Sequence, residues 1–182
     1  MEEFFDVLDE NGVFTGEVAS REKCHSEGLR HKAVVAFVVN SKEQVLLQKR
    51  SASKKLWPNM WDVTSGGHVL TGELGFEAAI REAKEELDLE LKRENMIFLG
   101  SGLSKHIKGD IINNHMNEYY IVEDDIDETK LKLQEEEVSS VKWIDREEIE
   151  TKIKNNYDGI TDKTGCWEYL LKYYEWLDKK KR

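Results

Sequence analysis

Three carboxylates, Glu82, Glu85 and Glu86, stand together in the run Arg81-Glu82-Ala83-Lys84-Glu85-Glu86. On an α-helix, which turns about 100° per residue, they share an arc of roughly 100°. Phe76, Ala79, Ile80, Ala83 and Leu87 fall on a neighbouring face, so one face packs and the other presents oxygen. Glu82 repels Glu85 and Glu86, and each like-charge pair at helical spacing costs about 0.2–0.5 kcal/mol. A hard divalent cation, Mg²⁺ or Mn²⁺, prefers carboxylate and phosphate oxygen and would reverse that penalty. Taken alone, the run also fits a solvated acidic face in a chain with 37 acidic and 27 basic residues.

The upstream segment Ser65-Gly66-Gly67-His68-Val69-Leu70-Thr71-Gly72-Glu73 reads as a strand end and a glycine-containing loop that delivers Glu73 ahead of the helix. Gly67, five residues, Glu73, seven residues, Arg81-Glu82, two residues, then Glu85-Glu86 resembles the signature of the Nudix hydrolases at every charged position. Two positions depart from it. Ala83 stands where the family has a bulky aliphatic residue, and Asp88 where it has glycine. The first still lies on the packing face, and the second is a polar residue able to end a helix. The resemblance implies an α/β/α sandwich with a mixed sheet and a hydrolase cleaving a diphosphate linkage in a nucleotide or related small molecule. It also implies Mg²⁺ or Mn²⁺ held by Glu82, Glu85, Glu86 and the carbonyl of Gly67. Arg81 and Glu73 then hold the carboxylates in place, and one glutamate doubles as base.

Arg50-Ser51-Ala52-Ser53-Lys54-Lys55-Leu56-Trp57-Pro58, then Trp61, Gly67-His68 and the early Asp9-Glu10 with Gly12 are similar to type 1 isopentenyl-diphosphate isomerases. That resemblance implies that Arg50 and Lys54 clamp a diphosphate. It also implies that His25, His31 and His68 bind a second metal together with two acids. Glu118 matches one acid position, while the other falls at Met116. Trp57 and Trp61 could stack on a base or an isoprenoid, or serve as core aromatics. The isomerase's catalytic cysteine position is Gly66 here, which has no ionisable atom, so hydrolysis is favoured over isomerisation. A Nudix-like binding module without turnover would be expected to lack signature acids, and none is missing. His106 and His115 lie in a polar hairpin and carry no pattern.

At 182 residues the chain suits one domain that buries roughly 70% of its unfolded surface. A single proline, with no low-complexity tract or repeat, offers no linker. The formal charge of −10 argues against nucleic-acid binding. The longest apolar run, Ala33 to Val39, is far shorter than the roughly 20 residues of a membrane span. Without a basic and apolar leader at the N-terminus, the cytoplasm is the expected location. Cys24 and Cys166 form no disulfide framework.

The elements that must position these residues follow from periodicity. Asn11-Gly12 between apolar runs predicts an N-terminal hairpin over 4–18. Strands are expected over His31 to Val39, Gln44 to Gln48, Met96 to Gly100, Asn117 to Val122 and Val138 to Trp143. Helices are expected over Leu74 to Leu87, Arg146 to Lys154 and Cys166 to Leu177, the last with Trp167, Leu170, Leu171, Tyr174 and Leu177 as its packing stripe.

Overall fold

A computed structural model describes residues 2–161 and 165–182. Its strands are β1 (Phe4–Leu8), β2 (Phe14–Ser20), β3 (His31–Val39), β4 (Val45–Arg50), β5 (Trp61–Asp62), β6 (Ser65–His68), β7 (Met96–Lys108), β8 (Ile111–Glu123) and β9 (Val138–Ile144). The helices are α1 (Arg21–Glu27), α2 (Gly75–Leu87), α3 (Arg146–Lys154) and α4 (Cys166–Lys180), with single 3₁₀ turns at Arg93–Asn95 and Glu128–Lys130. Among the described residues, no helix is long and apolar enough to cross a membrane.

The apolar run of β3 forms the centre of a seven-stranded sheet ordered β5-β4-β3-β8-β7, with β6 added on β3 and β9 on β4. Along one edge β3 pairs in parallel with β8, from His31↔His115 to Val39↔Glu123. Its other edge is shared. β6 occupies the start, from Ala33↔His68 to Ala36↔Ser65, and β4 the end, at Val38↔Leu46 and Val39↔Val45.

Alternation along β3 feeds two cores. Val35, Phe37 and Val39 pack with Trp167, Leu170 and Tyr174 of α4. Val34, Ala36 and Val38 pack with Ala78, Ala79, Ala83 and Leu87 of α2. The result is an α/β/α arrangement around a mixed sheet, the architecture expected from the sequence. The hairpin β1–β2 forms a separate two-stranded sheet, with Asp9 Oδ1 accepting hydrogen bonds from Asn11 N–H (2.8 Å) and Val13 N–H (2.9 Å) at its turn.

One element lies outside the sequence expectations, and two expectations need correction. Residues 21–27 form α1, a seven-residue helix with no apolar stripe. Its ends are set by Ser20, which accepts from Lys23 N–H at 3.3 Å, and by Gly28 in the left-handed region at φ 69°. β7 and β8 run 13 residues each, because cross-strand pairing carries them through the stretch that reads as a polar hairpin. On α4, Tyr173 is buried, whereas Leu171 is only partly so. The single-domain expectation also covers residues 1 and 162–164, which lie outside the described ones.

Candidate functional site

Helix α2 begins where Glu77 accepts a hydrogen bond from Leu74 N–H at 2.9 Å, one half of a capping box for which Leu74 has no acceptor to return. It ends at Asp88, left-handed at φ 53°, with Asp88 N–H and Leu89 N–H bonding back to Lys84 and Ala83 carbonyls at 3.0 and 3.2 Å. Ala83 is fully buried on the sheet side, which leaves the glutamates to the outer flank.

Arg81 organises that flank. Its Nε and Nη2 donate to the two oxygens of Glu73 at 2.9 and 3.0 Å, a bidentate pairing. Nη1 reaches Glu82 at 2.8 Å and Glu85 at 3.3 Å, while Nη2 also donates to the carbonyl of His68 at 2.9 Å. Glu73 in turn accepts from Leu70 N–H at 3.0 Å, which pins the loop. Glu86 is buried and accepts from Gln48 Nε2 at 3.1 Å. Gln48 is a partner that sequence reasoning missed, because β4 and α2 meet only in the folded sheet.

The carboxylates differ in setting. Glu85 is 55% exposed at its side chain, and Glu82 only 15%. Burial raises the pKa of Glu82, opposed by the charge and hydrogen bond of Arg81. Gly67 faces this group: a Cβ placed on it would lie 2.2 Å from Glu82 Oε1. Only glycine leaves that carboxylate its place against the strand.

On the other face of the sheet, four histidines meet. His25 comes from α1, His31 from β3, His68 from β6 and His115 from β8, and one nitrogen of each lies within 4.8 Å of the others. His31 and His115 are directly paired across the parallel strands. Phe5 stacks on His31 and His68, with ring centroids 4.8 Å apart in both cases. Burial pushes His31 down to about 4, with the Leu29 carbonyl acting the other way. Burial, and then His115 and His31, holds His68 well below the usual imidazole range, and burial also lowers His25.

His115 is the member absent from the sequence expectation. The only available signal was that a strand starting at Asn117, extended backwards, puts residue 115 on its inward-alternating side. Glu118 does not join this cluster. It pairs with Lys32 at 3.1 Å and accepts from the Tyr120 hydroxyl at 2.7 Å, on the α2 side where glycine at position 75 makes room for it.

The remaining residues singled out lie on the 50–61 segment. Arg50 donates to Asp62 at 3.1 Å and to the Leu56 carbonyl at 3.1 Å. Lys54 pairs with Glu137. Trp57 lies against His106 at 4.7 Å between centroids, and Lys108 at the tip of the β7–β8 hairpin donates to the Lys55 carbonyl at 2.7 Å. Trp61 packs on the α4-side core, with the Lys142 ammonium 4.6 Å from its ring centre.

A profile of the NUDIX domain matches residues 29–163. An uncharacterised Nudix hydrolase of Listeria innocua is 34% identical over 150 residues, covering 82% of this chain and 83% of that protein. Nudix hydrolase 3 of Arabidopsis thaliana is 38% identical over 154 residues, 81% of this chain, which spans only 20% of that longer protein. The isopentenyl-diphosphate Delta-isomerase of Escherichia coli is 28% identical, with 76% of this chain and 75% of that protein covered. Among solved structures, the protein DR0079 of Deinococcus radiodurans superposes with a TM-score of 0.69 at 26% identity, covering 93% of this chain and 98% of that one. Matched over most of its length by the domain profile and by the Listeria relative, this chain belongs to the Nudix hydrolase family.

Proposed function

We propose that the protein is a metal-dependent hydrolase that cleaves a diphosphate linkage in a small molecule at the Glu82, Glu85 and Glu86 face. The observation that carries this reading is the Arg81 clamp, which gathers Glu73, Glu82 and Glu85 beside a glycine that leaves room for Glu82. The residues present suit Mg²⁺ or Mn²⁺: three carboxylates are hard donors, and the space that a Cβ at Gly67 would fill is taken by a carboxylate. Glu82, Glu85, Glu86 and the Gly67 carbonyl are the groups that would hold it. When bound, such an ion neutralises phosphate charge and acidifies water.

The chain's own residues do the positioning. Arg81 remains a cation, since Glu73 and Glu82 stabilise its charge against burial, and it fixes the signature loop and the helix face as one unit. Glu86, held by Gln48, and the more exposed Glu85 are the groups placed to accept a proton from an attacking water. Arg50 and Lys54 carry the carboxylate partners Asp62 and Glu137, and a phosphate arriving there would share these cations with them, since leaving the buried Asp62 without its partner would be costly. Trp57, on the loop rather than in the core, is the ring assigned to stacking on the organic group. The substrate is a small molecule, not nucleic acid, in keeping with the net charge of −10.

Isomerisation is disfavoured at Gly66, where no side chain can move a proton on carbon. The test is a hydrolysis screen over nucleoside diphosphates and triphosphates, dinucleotides, sugar nucleotides and isoprenyl diphosphates with Mg²⁺ or Mn²⁺. Turnover of at least one class that stops in excess chelator is expected. Turnover undiminished by the chelator refutes the proposal.

A further inference from the structure

The four-histidine cluster is separate from the glutamate face. Successive residues of β6 point to opposite sides of the sheet, Gly67 toward Glu82 and His68 toward His25, His31 and His115. We infer that His115, in place of the two acids that the isomerase resemblance implies, completes the second metal site of His25, His31 and His68 as an all-imidazole set, specific for a late transition ion such as Zn²⁺, Co²⁺ or Ni²⁺, and that it braces the signature loop through His68.

Packing alone does not account for these side chains. The Nε2 atoms of His25 and His31 are buried without a hydrogen-bond partner among the described residues, and His31 is 0% exposed. A core histidine that serves only to fill space has its polar atoms satisfied. His31 Nδ1 lies 2.8 Å from the Leu29 carbonyl. That oxygen can only accept, so the proton sits on Nδ1 and the Nε2 lone pair faces the cluster, the tautomer and outer support that a metal-ligating imidazole needs. Phe5 stacks on both His31 and His68 and fixes their planes.

The donor set decides the ion. The isomerase resemblance implies three histidines with two acids, a mixed site. Here Glu118 is engaged with Lys32 and Tyr120 on the other face, and the fourth donor is an imidazole. Four neutral nitrogens suit Zn²⁺, Co²⁺ and Ni²⁺ and serve Mg²⁺ poorly. Tetrahedral Zn–N bonds place nitrogens about 3.4 Å apart, so the donors, which lie within 4.8 Å of one another, draw together by up to about 1.4 Å.

A filled site would join α1, β3, β6 and β8. The coupling to the catalytic face runs through one residue: the carbonyl of His68 accepts from Arg81 Nη2 at 2.9 Å, and Arg81 holds Glu73 and Glu82. Metal binding itself does not depend on the diphosphate reading, and its test needs no substrate.

The experiment is titration of chelator-treated protein with Co²⁺, followed by visible absorption and by melting temperature. One equivalent of Co²⁺ with the strong d–d bands of nitrogen coordination is expected, together with a rise in melting temperature. Zn²⁺ should displace it, and a large excess of Mg²⁺ should not. His115→Ala and the closer His115→Asn should bind Co²⁺ about a hundredfold more weakly or worse, as at least the loss expected from an outer-shell change. Glu85→Gln should keep the spectrum. Should one histidine variant misfold by circular dichroism, the other carries the comparison, with His25→Asn as a third. An absent Co²⁺ spectrum in the wild type, or one unchanged in the folded histidine variants, overturns the site. A Co²⁺ spectrum lost in Glu85→Gln assigns the ion to the glutamates and overturns it equally.

Discussion

The glutamate face and the histidine cluster stand on opposite sides of one short strand, and they contrast in almost every respect. The first is built from one helix and the loop before it, offers oxygen and is partly open to water, with Glu85 more than half exposed. The second is drawn from four separate elements, offers nitrogen and is more deeply set, with His31 fully buried and the other three histidines partly so. Under the proposals above, donor chemistry and access would suit them to different cations, and what separates them is the alternation of two neighbouring residues. One strand can present an oxygen-rich face and a nitrogen-rich cluster on its two sides because its period is two.

That contrast can be broken in four ways, taken in order of expected effect. Removing divalent metal should abolish hydrolysis, and Glu85→Gln or Glu86→Gln should each lower turnover by about 10² or more, as for loss of a preorganised electrostatic group. Steady-state kinetics of folded variants checks this; near-wild-type rates would make the face a solvated acidic surface. Gly67→Ala comes next. Its methyl group would meet Glu82 at 2.2 Å, so the carboxylate must move, and activity should fall about tenfold or more, as expected when catalytic geometry shifts by an ångström. A variant with unchanged kcat/KM would show that Glu82's position against the strand is irrelevant.

Gln48→Ala should have a smaller effect, about three- to tenfold in activity, by releasing Glu86 from its 3.1 Å hydrogen bond at a cost of about 1–3 kcal/mol. Parallel rate and melting measurements separate positioning from mere destabilisation. The smallest effect is an expected zero. Wild-type protein should incorporate no solvent deuterium into isopentenyl diphosphate, followed by NMR. Gly66→Cys should give at most a trace, since a Cβ there lies 2.9 Å from the Val34 carbonyl and Met116 and Glu118, the positions expected to supply acids, pair with Lys32 and Val34 on the face away from the histidines. Incorporation by the wild type at an enzymatic rate would hand carbon chemistry to the histidine side.

The same contrast governs how much could be read beforehand. Helix α2, its buried face and the Arg81 to Glu86 spacing were legible because every relation lies within a few turns of one helix. The β1–β2 hairpin was legible from Asn11-Gly12. Helix α1 was not, since its seven residues carry no apolar period and only Ser20 and Gly28 mark its ends. His115 was hidden for a different reason. Its partners are set by the register of β3 on β8, which local sequence does not encode, and the strand continues through polar Asn113, Asn114 and Asn117. Gln48 escaped for the same reason. Arg50, Lys54 and Trp57 were legible as a cluster, but not as side chains already engaged with Asp62, Glu137 and His106.

The parallel pairing of β3 with β8 also sets the entropic cost of bringing the histidines together. The turn from Val39 to Val45 closes a short antiparallel link, whereas His31 meets His115 across a separation of 84 residues. By loop-closure entropy the longer closure costs about 2 kcal/mol more, and pairings so distant in sequence slow folding. The glutamate helix can therefore form while the histidines are still far apart, and the four imidazoles assemble only when β8 pairs with β3.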